Sequence, residues 1–214
     1  MPVKPPALPR ELSLLRLDDA VDTALAEGDT VSDGQFQDDY LEEKSGRVLD
    51  FSRCLFRRVQ FCPCDFERMH FTDCRFEGCD LSGFQMRGGT LRKSELTDCR
   101  GTGLMLQRMS LRDVRFQGCQ LDYAGFVDSR LQAVRFDRCQ MAHALFHRCE
   151  QKELVLEGCA LEHAELVETR LSGVDLSSCE LNGLRAAIAS LEGTTLSLSQ
   201  APVALGLCGV TVRV

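Results

Sequence analysis

Hydrophobic side chains recur every five residues along most of this chain. Counting from Phe51 to Leu196 in steps of five gives 30 positions, and 27 of them are Phe, Leu or Met. The three exceptions are Gly101, Gln151 and Ala186. Because a helix repeats every 3.6 residues and a strand every 2, neither amphipathic pattern accounts for this spacing. The period instead indicates an internal structural repeat.

Cysteines reveal a longer period. Six of them recur at intervals of 20 residues, which is four pentads: Cys79, Cys99, Cys119, Cys139, Cys159 and Cys179. We therefore predict coils with four five-residue sides, stacked about 4.8 Å apart through backbone hydrogen bonds. In such a β-solenoid, the central Phe or Leu of each pentad and the small residue two positions before it point inward, and the other three residues face solvent.

The cysteines are expected to be free thiols. Ten of the 12 occupy the inward position two residues before a pentad centre, and only Cys62 and Cys208 do not. On stacked coils their Cβ vectors run parallel and stay about 4.8 Å apart, beyond the usual disulfide range. A row of parallel thiols also cannot surround a tetrahedral zinc ion. We expect small apolar core residues in a reducing compartment.

Several pentads resemble the A(D/N)LXX unit of the pentapeptide-repeat family, among them CDLSG (79–83), AELVE (164–168) and VDLSS (174–178). The resemblance covers roughly residues 49–198, and the use of Cys where the family often has Ala departs from the pattern. It implies an all-β protein, a right-handed quadrilateral β-helix of about 20 residues per coil. It also implies an interaction protein, with no enzymatic activity and no cofactor.

The segments that flank the repeats predict caps. The proline-rich leader should be extended, and residues 15–28 predict a helix from an Asp18 N-cap to a Gly28 stop. Its apolar face, which should cover the open solenoid end, consists of Leu17, Val21, Ala24 and Leu25. The predicted organisation is residues 1–30 for leader and capping helix, 31–198 for the β-helix with a degenerate first coil at 31–50, and 199–214 for a short C-terminal helix and extended tail.

The last segment carries a second resemblance. GTTLSLSQAPVALGLCGVTV (193–212) is similar to the tail of the quinolone-resistance pentapeptide proteins. This similarity implies a homodimer formed through the C-terminal ends, which would bury two open edges at once. The residues expected at that interface are Leu198, Val203, Leu205, Leu207, Val210 and Val212.

Two polar or small residues interrupt the predicted core. Gln151 stands where Leu131 and Leu171 are its neighbours in the adjacent coils, and its amide is expected to bond to backbone or to turn outward. Gly101 removes a core side chain, so we expect a bulge there or a gap filled by Phe84 or Leu104.

No motif predicts an active site. The sequence has no phosphate-binding glycine loop and no nucleophile elbow. His143 and His163 occupy the same outward position in successive coils beside Tyr123, and we interpret them as a surface ladder rather than as metal ligands. We predict a protein without catalytic, cofactor or metal residues.

Charge and composition exclude some partners. The net charge is −7, divided as −7 over residues 1–50, +5 over residues 51–148 and −5 over residues 149–214. Because the pI is about 5.2 and Trp is absent, direct nucleic-acid binding is not expected. No apolar run predicts a membrane span or secretion signal, so we expect a cytoplasmic protein.

Outward residues of the middle coils form the candidate partner surface. We expect a protein-interaction or scaffold module whose partner the sequence does not identify. The alternative, implied by the family's best-known activity, is an acidic rod that mimics DNA, binds DNA gyrase and gives quinolone tolerance. The basic centre and the absence of long loops argue against a uniform mimic. The candidate residues are the apolar Met105, Tyr123, Val127, Leu145 and Val167, and the basic Arg92, Arg112, Arg115 and Arg135.

Overall fold

The computed structural model, which describes residues 3–211, is a parallel β-solenoid of about nine turns with two short α-helices. The predicted fold class is therefore confirmed. Helix α1 is Leu17–Glu27 and helix α2 is Ala201–Leu207, with 3₁₀ turns at Ile188–Ser190 and Leu198–Gln200. The strands are β1 Ser13–Leu14, β2 Val31–Ser32, β3 Gly34–Gln37, β4 Tyr40–Leu41, β5 Ser45–Ser52, β6 Leu55–Arg57, β7 Gln60–Phe61, β8 Asp65–Thr72, β9 Arg75–Glu77, β10 Gln85–Thr97, β11 Met105–Gln117, β12 Gly125–Val127, β13 Arg130–Asp137, β14 Leu145–His147, β15 Glu150–Lys152, β16 Val155–Glu157, β17 Glu165–Val167 and β18 Arg185–Ala186.

A 20-residue register joins the coils. Phe116 pairs with Phe136 and Leu111 with Leu131, and all strand pairings are parallel. Short bridges continue the same register from Gln60 to Glu180. Each coil has four sides, which we number by their centres in one coil: side 1 at Leu121, side 2 at Phe126, side 3 at Leu131 and side 4 at Phe136.

Identical residues therefore stack in columns inside the solenoid. The rings of Phe116 and Phe136 lie 4.7 Å apart and nearly parallel, as do those of Phe126 and Phe146 at 4.9 Å. Each fully buried Phe contributes roughly 1.5 to 3 kcal/mol of gross burial free energy. The five-residue beat in the sequence is thus the period with which side chains enter this core.

The inward position before each centre suits small groups that donate a hydrogen bond. The Cys119 thiol reaches the carbonyl oxygens of Leu96 and Gln117 at 3.4 and 3.5 Å. Ser129 stands at the equivalent place and donates to Leu106 O at 3.2 Å. All 12 cysteines are free, and burial raises the pKa of the Cys149 thiol to about 11. The Cys149 thiol is therefore neutral at physiological pH.

The two core exceptions have local solutions. The Gln151 side chain is half-buried, and its Nε2 donates to the carbonyl oxygen of Ser172 at 3.0 Å. At Gly101, an added Cβ would lie 2.9 Å from Leu121 and 3.5 Å from Leu104. Leu104 and Leu121 thus fill the gap, as the sequence predicted for Leu104.

The first helix covers the N-terminal end of the solenoid. Leu17, Val21 and Ala24 are buried, and Gly28 ends the helix in a left-handed conformation at φ 70°. The predicted Asp18 N-cap is wrong, because the helix begins at Leu17 and its N-cap residue is Arg16, two residues earlier than predicted. The Leu17 N–H donates instead to Asp39 Oδ2 at 2.8 Å, so a side chain of the first coil caps the helix.

The proline-rich leader runs along the corner between sides 3 and 4. The Ala7 N–H donates to Asp73 Oδ1 at 2.9 Å, and the Lys4 N–H donates to Asp113 Oδ1 at 3.3 Å. These aspartates lie two coils apart, a distance of about 9.6 Å. Three residues of polyproline II chain rise about 9.3 Å, so an extended leader matches the spacing of its acceptors.

The C-terminal helix is tied to the last coil by one side chain. Gln200 is buried, and its Nε2 donates to the carbonyl oxygens of Leu176 and Cys179 at 2.8 and 2.7 Å. No helix between residues 3 and 211 has the length and apolar character needed to cross a membrane.

One interruption breaks the ladder on side 2. Residues 65–68 pair with the preceding coil and residues 85–88 with the following coil, but the two segments do not pair with each other. Cys64, predicted to be buried like the other inward cysteines, is half-exposed there. The interior has little room for the Cys64 side chain, because the larger Phe84 occupies the equivalent position in the next coil and is fully buried.

Gly89 closes this interruption and should tolerate no side chain. Its φ is 116°, and an added Cβ would lie 1.9 Å from the Met69 carbonyl oxygen. We expect Gly89→Ala to lower the free energy of unfolding by about 3 kcal/mol or more. The measurement is the urea midpoint.

Gly103→Ala is the matched control. Gly103 also has a positive φ, 69°, but nothing lies within 4 Å of its added Cβ. Only the backbone cost of about 1 to 2 kcal/mol should remain. Equal midpoints for the two variants would contradict the close approach at Gly89.

Candidate partner-binding surface

An apolar strip lies on side 2 of the middle coils. It consists of Met105, Val127, Leu145 and Val167, which come from three consecutive pairings of strands β11, β12, β14 and β17. Val167 is exposed and the other three are half-buried, because neighbouring outward side chains cover part of each. The strip is a flat, accessible and mostly uncharged surface.

A ladder of stacked rings forms one edge of the strip. Tyr123 and His143 stack at 4.7 Å with an interplanar angle of 4°, and His143 and His163 stack at 5.1 Å and 13°. All three occupy corner positions with left-handed backbone, at φ 59°, 57° and 54°. Tyr123 is 59% exposed. This ring ladder was predicted as a surface column, and it holds three rings rather than two.

Ion pairs form the other edge of the strip. Arg148 donates two hydrogen bonds to the Asp128 carboxylate of the preceding coil, at 2.6 and 3.1 Å. The Arg148 guanidinium lowers the pKa of the Asp128 carboxyl through these bonds. The strip is thus bounded by rings on one side and by paired charges on the other, an arrangement typical of a protein-binding patch with a polar rim.

The four candidate arginines lie elsewhere on the solenoid. Arg92 and Arg112 stack on side 3, and Arg115 and Arg135 stack on side 4. Side 4 is opposite side 2, so no single flat partner contacts both the strip and these two arginines. The structure therefore separates the candidate surface into two surfaces.

Carboxylates and the leader occupy much of the basic surface. Arg115 pairs with Asp137 at 2.9 Å, and Arg135 pairs with Glu157. Residues 3–6 of the leader lie beside both arginines and line a cleft with them. Because the charges of Arg115 and Arg135 are neutralised and partly covered, these two arginines are weaker candidates for an acidic partner than their sequence suggests.

The C-terminal end exposes a second set of apolar side chains. Leu198 is 92% exposed, Leu205 and Val210 are also exposed, and Val203 and Leu207 are half-buried against the last coil. Val212, the remaining residue predicted at a dimer interface, lies outside the described residues. A shallow apolar cleft between Ile188 and Ala204 adjoins this surface.

The described residues contain no cluster of side chains that could bind a metal ion. Among residues 3–211, no three His, Cys, Asp or Glu side chains come close enough to hold a metal ion. The candidate histidines face each other as stacked rings, which leaves no converging set of ligands.

Sequence reasoning missed the docking of the leader, although its signal was present. Four prolines in the first ten residues predict an extended chain, but not where that chain lies. The acceptors Asp73 and Asp113 resemble every other corner residue in the sequence. The interruption at CPC (62–64) was missed for a similar reason, since the pentad phase continues through it.

Comparison with solved structures finds several proteins similar to this chain. HetL, a pentapeptide repeat protein involved in heterocyst differentiation regulation from the cyanobacterium Nostoc sp. strain PCC 7120, matches with a TM-score of 0.52 and 17% identity over 78% of this chain and 84% of HetL. Full-length QnrB1, a plasmid-mediated fluoroquinolone resistance protein, matches with a TM-score of 0.47 and 19% identity over 94% of this chain and 99% of QnrB1. No curated protein sequence matches this chain.

Family models match the repeats themselves. The model of a pentapeptide repeat region covers residues 49–126, and the model of eight pentapeptide repeat copies covers residues 155–186. Together the two matches span half of the chain, within the stretch where the five-residue beat is strongest. The chain belongs to the pentapeptide-repeat family.

Proposed function

We propose that this protein is a non-enzymatic binding module that docks a protein partner on the apolar strip and its ring ladder. The observation that carries the proposal is the strip itself, two neighbouring columns between stacked rings and ion pairs. Gly125 separates Met105 from Leu145 in one column, and His147 separates Val127 from Val167 in the other. Aromatic side chains such as Tyr123 are enriched at protein interfaces. The filled interior of the solenoid offers such a module a rigid platform rather than a deep active-site pocket.

A reducing compartment fits the same proposal. All 12 cysteines are free thiols, and Cys208 is exposed. Free thiols persist in the cytoplasm and are commonly oxidised in secreted proteins. We therefore propose that the interaction takes place in the cytoplasm.

Charges introduced into the strip should abolish partner binding. The test is quantitative cross-linking in cells of the source organism, with the variant Val127→Glu/Leu145→Glu compared with the natural chain. Because the partner would have to bury two uncompensated carboxylates, we expect at least a tenfold loss of the cross-linked partner.

The matched control is Gln117→Glu/Gln132→Glu, which adds the same charge on sides 4 and 3. Both control positions lie at outward places on paired strands, so the control adds the same charge to the solenoid surface without changing the strip. A partner captured equally by the strip variant and by the natural chain would refute this assignment of the surface.

We further propose that two copies associate through the C-terminal end. The support is the exposed apolar set led by Leu198, beside Leu205 and Val210. Such a contact would cover the last coil, whose edge is otherwise open.

Leu198→Asp should convert the dimer into a monomer. We expect the sedimentation coefficient to fall to the monomer value over a range of about 1 to 100 μM, because an isologous contact places the charge twice in one interface. Leu14→Asp is the control, since Leu14 is 72% exposed at the opposite end. A natural chain that sediments as a monomer throughout would reject the dimer.

The acidic ends support a second candidate function, binding to a bacterial type II topoisomerase in place of DNA. Residues 1–50 and 149–214 carry net charges of −7 and −5, and C-terminal pairing would bring two acidic segments together. Duplex DNA presents about one charge per 1.7 Å, so only these segments approach the required density.

Supercoiling by DNA gyrase, with and without a quinolone, distinguishes this second candidate. If it is right, inhibition or drug protection should appear at micromolar protein and should weaken as salt rises from about 50 to 200 mM. Leu198→Asp should reduce the effect by separating the two acidic segments. Unchanged supercoiling up to tens of micromolar protein would remove this candidate for the enzyme tested.

A further inference from the structure

The interruption on side 2 forms a notch between two coils. Strands β8 and β10 pair from Met69 and Gly89 onward, but not over residues 65–68 and 85–88. Each of these segments is a strand that is paired on its outer edge only. The notch therefore exposes two backbone edges that face each other across a gap, whereas the coils from 85 to 167 on this side are paired throughout.

Pro63 accounts for the start of the notch. In the following coils, the corner residue donates its N–H to the next coil, as Gly83 does to Thr102 O and Gly103 to Asp122 O, both within 2.8 to 2.9 Å. Pro63 holds the same place and has no N–H, so the Ser82 carbonyl loses this donor. The side-chain hydroxyl of Ser82 is also buried without a hydrogen-bond partner.

A second rung is missing beside the first. The amides of Met105 and Gly125 each donate to the carbonyl of the preceding coil, at 2.9 and 2.8 Å. By the same register, the Gln85 N–H should donate to the Cys64 carbonyl, but this bond is absent from the ladder within residues 3–211. One amide and two carbonyls are thus left without their ladder partners at a single place.

The gap is large enough to hold a ligand. It encloses about 420 Å³, within the range of about 300 to 1,000 Å³ typical of binding pockets, and its walls include Lys44, Pro63, Cys64, Phe66, Gln85 and Arg87. Its polar lining includes the side chains of Glu43 and Asp65 as well as the two exposed backbone edges. The Phe66 side chain closes the inner wall, because it is 5% exposed and belongs to the core.

Two carboxylates, Glu43 and Asp65, and two cations, Lys44 and Arg87, line the notch. Lys44 is held by Asp18 and Asp22 of helix α1, at 2.7 and 2.6 Å. Arg87 is exposed, and its guanidinium donates to Gln85 Oε1 at 3.0 Å. Among the described residues Arg87 forms no ion pair, so a ligand carboxylate would find an unneutralised guanidinium at the mouth of the notch.

We propose that the notch binds an extended peptide segment of a protein partner, with an acidic residue of that segment on Arg87. The peptide backbone would accept from the Gln85 N–H and donate to the freed carbonyls, as in strand addition at an exposed sheet edge. This inference rests on the proposed function as a protein-binding module and names the kind of partner. The notch adjoins the apolar strip, because Gln85 pairs with Met105 on the same side.

Peptide titration of the ¹⁵N-labelled full chain tests the proposal. The probe is Ac-Val-Thr-Val-Asp-NH₂, and Ac-Val-Thr-Val-Asn-NH₂ is its uncharged match. We expect saturable shifts of the Gln85 and Arg87 amide signals at millimolar peptide, with about tenfold weaker binding of the Asn peptide. Arg87→Gln should remove the difference between the peptides, whereas Arg108→Gln, one coil further on, should preserve it.

Pro63→Ala tests the backbone part of the proposal. It restores an N–H opposite the Ser82 carbonyl, so the rung should close and both peptides should bind at least tenfold more weakly. A dispersed amide spectrum verifies that this variant folds. Absence of saturable shifts up to about 10 mM peptide, or equal binding by Pro63→Ala, overturns the proposal. Cross-linking on the apolar strip is independent of the peptide, so the two failures are distinguishable.

Discussion

Backbone pairing between residues 20 apart is the constraint on which this molecule depends. It places every side chain about 4.8 Å from its counterpart in the next coil. Phe therefore stacks on Phe, thiol on thiol, and a corner aspartate on a corner arginine. The same register that builds the core also orders the surface, because each outward position becomes a column running the length of the solenoid.

Surface columns give the four sides different chemistry. Side 2 presents the apolar strip between rings and ion pairs, whereas side 4 presents arginines that are already bonded to carboxylates and lie against the leader. The leader fits this corner because three of its extended residues span nearly the same distance as two coils. A column of polar corner residues can thus bind an extended chain whose backbone amides have the same spacing as the column.

Missing backbone hydrogen bonds between coils leave polar groups free to bind a ligand. In a uniform solenoid almost every backbone N–H and C=O between the ends is paired, so nothing is left to recognise a ligand backbone. Pro63 removes one donor, and Gly89 lets the chain return to the ladder at a close approach of Met69. The interruption is therefore confined to one side, and the columns on the other three sides continue past it.

The sequence alone determined the fold, because a five-residue beat with a 20-residue cysteine period is compatible with few architectures. It also predicted the burial of Cys119, and it left two alternatives for the Gln151 amide, a bond to backbone or an outward turn, of which the structure shows the bond to backbone. Tertiary structure decided where the leader lies, how Asp39 caps the first helix and how the ladder opens at Pro63. These features depend on contacts between segments far apart in sequence. The five-residue pattern does not predict such contacts, because it continues unchanged through the residues that make them.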